Sequence, residues 1–397
     1  MSTAAPRVAM VSLHTSPVTQ PGSGDSGGMN VAILSLAEQL ARRGATVDLL
    51  TRAIGEPGAR RLSPGVTLHE LAAGPRRVLA KEELADVTDE FGEAVATLTG
   101  RRRPRYDVIH AHYWVSGLAV LPVALELALP LVQSFHTLAA MKNAVVGTSE
   151  PERRLRTEMF LASQATAIVA GSAAEATALI DLARAPADHV WVIPPGVDVD
   201  LFTPERAPAA SSGIRGELGI EPGRPIIAVV GRIQPIKDQE LAIRALAAAR
   251  PGPVMVVAGE ATPGDDAYLR SLRELGGDVR FVGALPRERL ADLLAAASVT
   301  VLPSHSETFG IVALESAASG TPVIAYRGSG MLESVADRVS GLLVDTREPA
   351  DWAAHIDGLL GDPERLAALG ASARHHAEPY TWAASATALL ALYESLR

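Results

Sequence analysis

The chain of 397 residues contains no cysteine, which excludes disulfides, cysteine-ligated metals and thiol catalysis. Lysine is nearly missing too. Of 36 basic residues only Lys81, Lys142 and Lys237 are lysines, so each is a candidate for a task that needs a compact ammonium rather than a planar fork. No charged-then-apolar leader opens the chain. No apolar run reaches membrane-spanning length: the most apolar stretch, 115–135, is interrupted by Pro122, Glu126 and Pro130, whereas a spanning helix needs about 20 largely apolar residues. It reads as a buried helix followed by a core strand. Positive charge is not in excess. The net charge of −9 argues against a nucleic-acid partner and leaves any anionic ligand to local cations.

What is present fits a globular enzyme. Apolar residues make up 48% and charged residues 20%, and the length allows two or three domains at about 150 residues each. Residues 7–12 form an apolar strand pattern, 14–30 a glycine-rich loop, 31–43 an amphipathic helix and 47–51 a second strand. This is a Rossmann-like opening. The loop is too long for a dinucleotide fingerprint, and Thr51-Arg52 stands where an acidic residue would close the second strand, which disfavours a nicotinamide cofactor. Residues 203–224, rich in Pro, Ala, Ser and Gly, read as a domain boundary. After it, strand and helix patterns alternate from 226 to 302, implying a second parallel sheet.

The most informative stretch is 303–322. It follows the apolar run 299–302, begins as a polar loop, and then shows Ile311, Leu314 and Ala318 at helical spacing before Gly320 and Pro322. A helix N-terminus beyond a strand end suits an anion such as a pyrophosphate. Glu307 and Glu315 lie eight residues apart across this unit. Beside a phosphate they need neutral groups to hold, and sugar hydroxyls qualify; the alternative is an acidic helix start with Glu315 solvated. The loop 231–237 carries Arg232 and Lys237 just after a strand. A fork and a point charge so placed can bracket a diphosphate, although two cations on a surface loop would look alike. His110 and His112, read as pointing to opposite faces of a strand, are not expected to share a metal.

Glu307 and Glu315, with Phe309-Gly310 after the first and Ser-Gly-Thr-Pro-Val-Ile behind the second, resemble the signature of the retaining GT-B glycosyltransferases of family 4. The glycine-rich loop, with His14-Thr-Ser-Pro and Gly-Asp-Ser-Gly-Gly-Met-Asn30, is similar to that of the branch that opens mycothiol biosynthesis. The resemblance implies an α/β fold of two Rossmann-like domains facing across a cleft. An acceptor-binding domain would span 1–200, a nucleotide-sugar-binding domain 201–380, and a helix from 381 to 397 would return to the first domain. It implies a hexosyltransferase moving N-acetylglucosamine from a UDP-sugar to an inositol phosphate or similar phosphorylated polyol.

By match to the family, the donor would meet His14, Gln20, Pro21, Gly28, Arg232 and Lys237, with Glu307 on its sugar and Glu315 on its ribose. The acceptor would meet Asp25, Ser26, Gly27, Gly28, Met29 and Asn30, with its phosphate held by Lys81, Tyr113, Thr137 and Arg154. His136 would lie beside the reacting centre; Arg232, Lys237 and Glu307 would complete the catalytic set. Leu285 departs from the family, where an arginine stands nearby. No cofactor is expected to be required, Mg2+ being the remaining candidate, since no Asp-x-Asp accompanies the phosphate site. A cytoplasmic enzyme without a transmembrane segment or nucleic-acid partner is expected, and a homodimer is compatible with this reading. Three alternatives stay open: an unphosphorylated cyclitol acceptor, a UDP-sugar 2-epimerase, and a binding-only relative.

Overall fold

The computed structural model describes residues 5–101, 105–145, 149–250, 252–262, 264–328 and 330–397, and the backbone alone of Lys81 and Glu82. The chain divides into two compact units. One holds the segment up to Thr19, Gly28–Pro194 and Trp382–Arg397; the other holds Gln20–Gly27 and Pro195–Thr381.

The strands of the first unit are β1 (Arg7–Ser12), β2 (Thr46–Arg52), β3 (Gly58–Ser63), β4 (Val66–Leu71), β5 (Val108–His112), β6 (Leu131–Ser134), β7 (Ala167–Ala170) and β8 (Val190–Val192). They form one sheet in the order β3-β4-β2-β1-β5-β6-β7-β8. All pairs are parallel except the β3–β4 hairpin at one edge. That hairpin had no signal in the sequence, because β3 reads Gly-Ala-Arg-Arg-Leu-Ser and is exposed along most of its length. The inner strands are apolar runs because both faces are covered. In β1, Ala9 and Val11 enter one core while Val8 and Met10 enter the core on the opposite face. The apolar stretch beyond Tyr113 is the helix Trp114–Leu127 followed by β6. Among the described residues no helix is long and apolar enough to cross a membrane.

The chain's last helix, Trp382–Ser395, packs on the helix Gly28–Arg42 of this unit. Arg43 donates to Ala383 O at 2.8 Å and to Thr387 Oγ1 at 3.0 Å. Tyr393, fully buried, places its hydroxyl 2.6 Å from His110 Nδ1.

The second unit is an all-parallel sheet of β9 (Ile226–Val230), β10 (Val254–Ala258), β11 (Val279–Gly283), β12 (Val299–Leu302), β13 (Val323–Tyr326) and β14 (Gly341–Val344). Its order is β11-β10-β9-β12-β13-β14. Alternate residues of β9 again feed two cores, Ile226 and Ala228 on one face, Ile227 and Val229 on the other. The stretch 203–224, read as a domain boundary from its composition, contains the helix Ala207–Leu218, whose Ala210 and Ile214 are buried. Tertiary packing on the helix Arg287–Ala296 outweighs the low helix propensity of its glycines and serines.

Both sheet orders place a switch point where successive connections leave in opposite directions. In the first sheet it falls between β1 and β5, in the second between β9 and β12. Open α/β sheets bind ligands just outside the carboxyl ends of the strands at such points. The loops there are 13–19 and Tyr113 in the first unit, and 231–237 and 303–310 in the second.

Candidate functional site

In the second unit, β9 runs into Gly231 and then Arg232, and the short turn Pro235–Lys237 leads to Asp238, which caps the helix Gln239–Ala248. The Gln239 amide donates to Arg232 O at 2.8 Å, fixing the loop backbone. The loops after β9 and β12 are tied together, His305 N–H donating to Ile236 O at 2.9 Å. Two glycines let backbones meet here. A Cβ on Gly259 would lie 2.0 Å from Gly231 O, and one on Gly330 would lie 2.1 Å from Thr308 O, neither of which a side chain tolerates.

This scaffold sets each cation against a carboxylate. Lys237 Nζ bonds Glu307 Oε1, which also accepts from Ser304 Oγ at 2.7 Å. Arg232 meets Asp25 at 3.2 Å. Arg287 bonds Glu315 and lies over the Phe202 ring, 4.7 Å from its centroid. Glu315 is thus not solvated: its side chain is 2% exposed, and a carboxylate that dry needs a cation. Arg287 was missed in the sequence, although a glutamate inside an apolar helix signals that some cation must cover it. Leu285, the departure from the family pattern, packs against the apolar core.

The glycine-rich loop is shared out between the units. Gln20, Pro21, Asp25, Ser26 and Gly27 belong with the second unit. Gln20 donates to Ala284 O at 3.2 Å, and Glu260 N–H donates to Gly22 O at 3.0 Å. Gly28, Met29 and Asn30 open the helix Gly28–Arg42 of the first unit, where the Asn30 amide holds Thr15 Oγ1 and Ser16 O.

In the first unit the rings of His14 and Tyr113 approach to 4.6 Å. Arg154 stacks over Tyr113 with its guanidinium carbon 5.0 Å from the ring centroid, and donates to Thr137 O at 2.8 Å and Thr137 Oγ1 at 3.0 Å. Burial opposes the charge on Arg154, but Tyr113, Glu158 and Glu150 outweigh it and raise its pKa. The structure therefore gathers Tyr113, Thr137 and Arg154. The fourth expected member, Lys81, begins the short helix Lys81–Leu84, and its side chain lies outside the described part.

His136 sits at the tip of β6 with φ of 61°. Its Nε2 is 2.9 Å from His112 Nδ1. The rings of His112 and His110 stack at 4.2 Å. The expectation that these two point apart is corrected: residues two apart on a strand share a face. His110 is in turn held by Tyr393 and, at 2.8 Å, by Ser134 Oγ. Burial pushes His136 down to about 4 and, with His136 nearby, His110 down to about 3; His112 is also well below its usual value, burial again first. All three are neutral imidazoles at pH 7.

These depressed values carry a stability cost in acid. The unfolded chain takes up protons near the usual 6.5 while the folded one does not, so stability is full above 6.5 and falls as pH drops toward about 3. The unfolding midpoint should decline steeply across that window. A His110→Phe variant should decline less, as followed by thermal denaturation at stepped pH.

Residues 26–201 match the Glycosyltransferase Family 4 domain and residues 212–376 the Glycosyl transferases group 1 domain. The D-inositol 3-phosphate glycosyltransferase of Segniliparus rotundus is 41% identical over 403 residues, covering 98% of this chain and 89% of that protein. That of Nocardia farcinica is 40% identical over 406 residues, with the same coverage of 98% and 89%. Among solved structures, sucrose-phosphate synthase from Thermosynechococcus elongatus is 29% identical with a TM-score of 0.90, covering 98% of this chain and 99% of that one. The two parallel-sheet units have the GT-B architecture, and the enzyme is a hexosyltransferase. The chain belongs to glycosyltransferase family 4.

Proposed function

We propose that the enzyme moves N-acetylglucosamine from UDP-N-acetylglucosamine to an inositol phosphate with retention at the anomeric carbon. The observation that carries this reading is the second unit's arrangement at its switch point: Arg232 and Lys237 on one loop, with Lys237 on Glu307 and Arg287 on Glu315. Two fixed cations suit the charge that builds on a departing diphosphate. Glu307 orients sugar hydroxyls, and Glu315, aligned by Arg287, takes the ribose hydroxyls. On the first unit, Arg154, Thr137 and Tyr113 suit an acceptor phosphate, and the relatives' name, D-inositol 3-phosphate glycosyltransferase, supplies the polyol.

In this reading the bond from the anomeric carbon to the diphosphate breaks first. The acceptor oxygen bonds the same face, and its proton passes to a phosphate oxygen of the leaving group. His136, neutral and half-buried, faces the developing positive charge with a ring nitrogen oriented by His112.

The test is an assay with labelled UDP-N-acetylglucosamine against inositol phosphate and against free inositol, with the product anomer read by NMR. Transfer confined to the phosphorylated acceptor, giving the α-anomer, is expected. Equal transfer to free inositol rejects the acceptor assignment. A β-linked product rejects retention.

A further inference from the structure

Lys142 has no part in the reading above. It lies in the helix Ala139–Asn143, and its Nζ is 2.7 Å from Glu150 Oε1. The other oxygen of Glu150 accepts from Arg154 Nη1 at 2.8 Å. One carboxylate therefore bridges two cations. A second, Glu158, accepts from Arg154 Nε at 2.6 Å on the adjacent edge of the guanidinium.

The two carboxylates are held differently. Glu158 has a side chain 3% exposed, and its remaining oxygen accepts the Ala139 N–H at 2.8 Å. It cannot leave without stranding a buried guanidinium edge and an amide. Glu150 is 21% exposed, and its backbone N–H is secured separately by Asn143 Oδ1 at 2.6 Å. Its side chain can swing into water while its backbone stays. Burial opposes its charge, but Arg154 and Lys142 outweigh it and draw its pKa down, so it is ionised at neutral pH. The four groups together carry no net charge. A neutral ligand gains nothing by entering, whereas a dianion exchanges one negative charge for two against the same cations.

We propose that Glu150 is a built-in counterion that a phosphate dianion displaces, and that Lys142 is a second cation of the acceptor-anion site beside Arg154. The inference rests on the reading of Arg154 as the contact for the acceptor phosphate. It makes Glu150 a determinant of affinity: the acceptor must outcompete an internal carboxylate. Bridging two cations with charge-assisted bonds is work for which a carboxylate and a phosphate are close substitutes.

The experiment is isothermal titration of the full chain with inorganic phosphate, alongside the phosphate-induced rise in unfolding midpoint. Glu150→Gln should bind phosphate roughly tenfold more tightly than the unaltered chain, a coupling of ordinary size. Adding Lys142→Met to Glu150→Gln should remove that gain, which locates the binding. Glu150→Ala, measured in the same way, checks that the amide oxygen of Gln does not itself occupy the cations. Unchanged or weaker phosphate binding in both Glu150 variants overturns the proposal, as does a gain that survives Lys142→Met. Because neither donor nor acceptor is needed, the result stands apart from the acceptor assay. Unchanged affinity with transfer confined to inositol phosphate rejects the exchange alone. Tightened affinity with equal transfer to free inositol rejects the acceptor assignment and leaves the exchange standing.

Discussion

Arg232→Ala and Lys237→Ala should each lower kcat/KM by roughly a hundred- to a thousandfold, the usual loss when one fixed charge-stabilising donor is removed. The cations share a loop but not a role. Arg232 offers a fork, aligned by Asp25, while Lys237 offers a point charge held by Glu307. Neither pair is deeply buried, with 24% of the Arg232 side chain and 22% of the Lys237 side chain exposed. Partly exposed pairs of this kind contribute about 1 kcal/mol or less to folding. The unfolding midpoint should therefore move little while turnover collapses, a split that steady-state kinetics and thermal denaturation read together. Arg232→Lys should recover only part of the activity, since it restores charge without the bidentate geometry. Turnover retained in the alanine variants would remove the leaving-group role.

Arg287→Ala should act mainly on stability. It strips the cation from a carboxylate whose side chain is 2% exposed, and breaking a buried pair from one side costs about 3–5 kcal/mol. For a unit of this size that corresponds to a fall in midpoint on the order of 10 °C. The double change Arg287→Met with Glu315→Gln removes both charges and should recover much of the midpoint. It should not recover donor binding, because the amide and thioether no longer align an acceptor for ribose hydroxyls. A double variant that regained both would reduce Glu315 to a packing residue; a single variant with an unchanged midpoint would show that Glu315 finds another partner.

Much of this was legible in the sequence because parallel strands buried on both faces are near-continuous apolar runs. The strands 7–12, 226–230, 254–258 and 299–302 all stand out in this way. The exposed hairpin β3–β4 did not, since an edge strand of arginine and serine carries no apolar period. Nor did the helix Ala207–Leu218, whose composition reads as a domain boundary and which packs on the helix Arg287–Ala296. The two glutamates and the Arg232–Lys237 loop stood out because each pair lies within one strand–loop–helix segment, but only the family resemblance chose the functional reading over an acidic helix start and a surface loop.

The sequence by itself determined which residue types stand at strand ends, and hence where cations and carboxylates could meet a charged sugar nucleotide. Only the tertiary structure decided their partners. Asp25 reaches Arg232 across more than two hundred positions, Arg287 covers Glu315, and Tyr393 from the last helix supports His110. Local spacing carries no information about such pairs: a buried charge is satisfied by whichever opposite group the sheet order brings near, however distant in the chain.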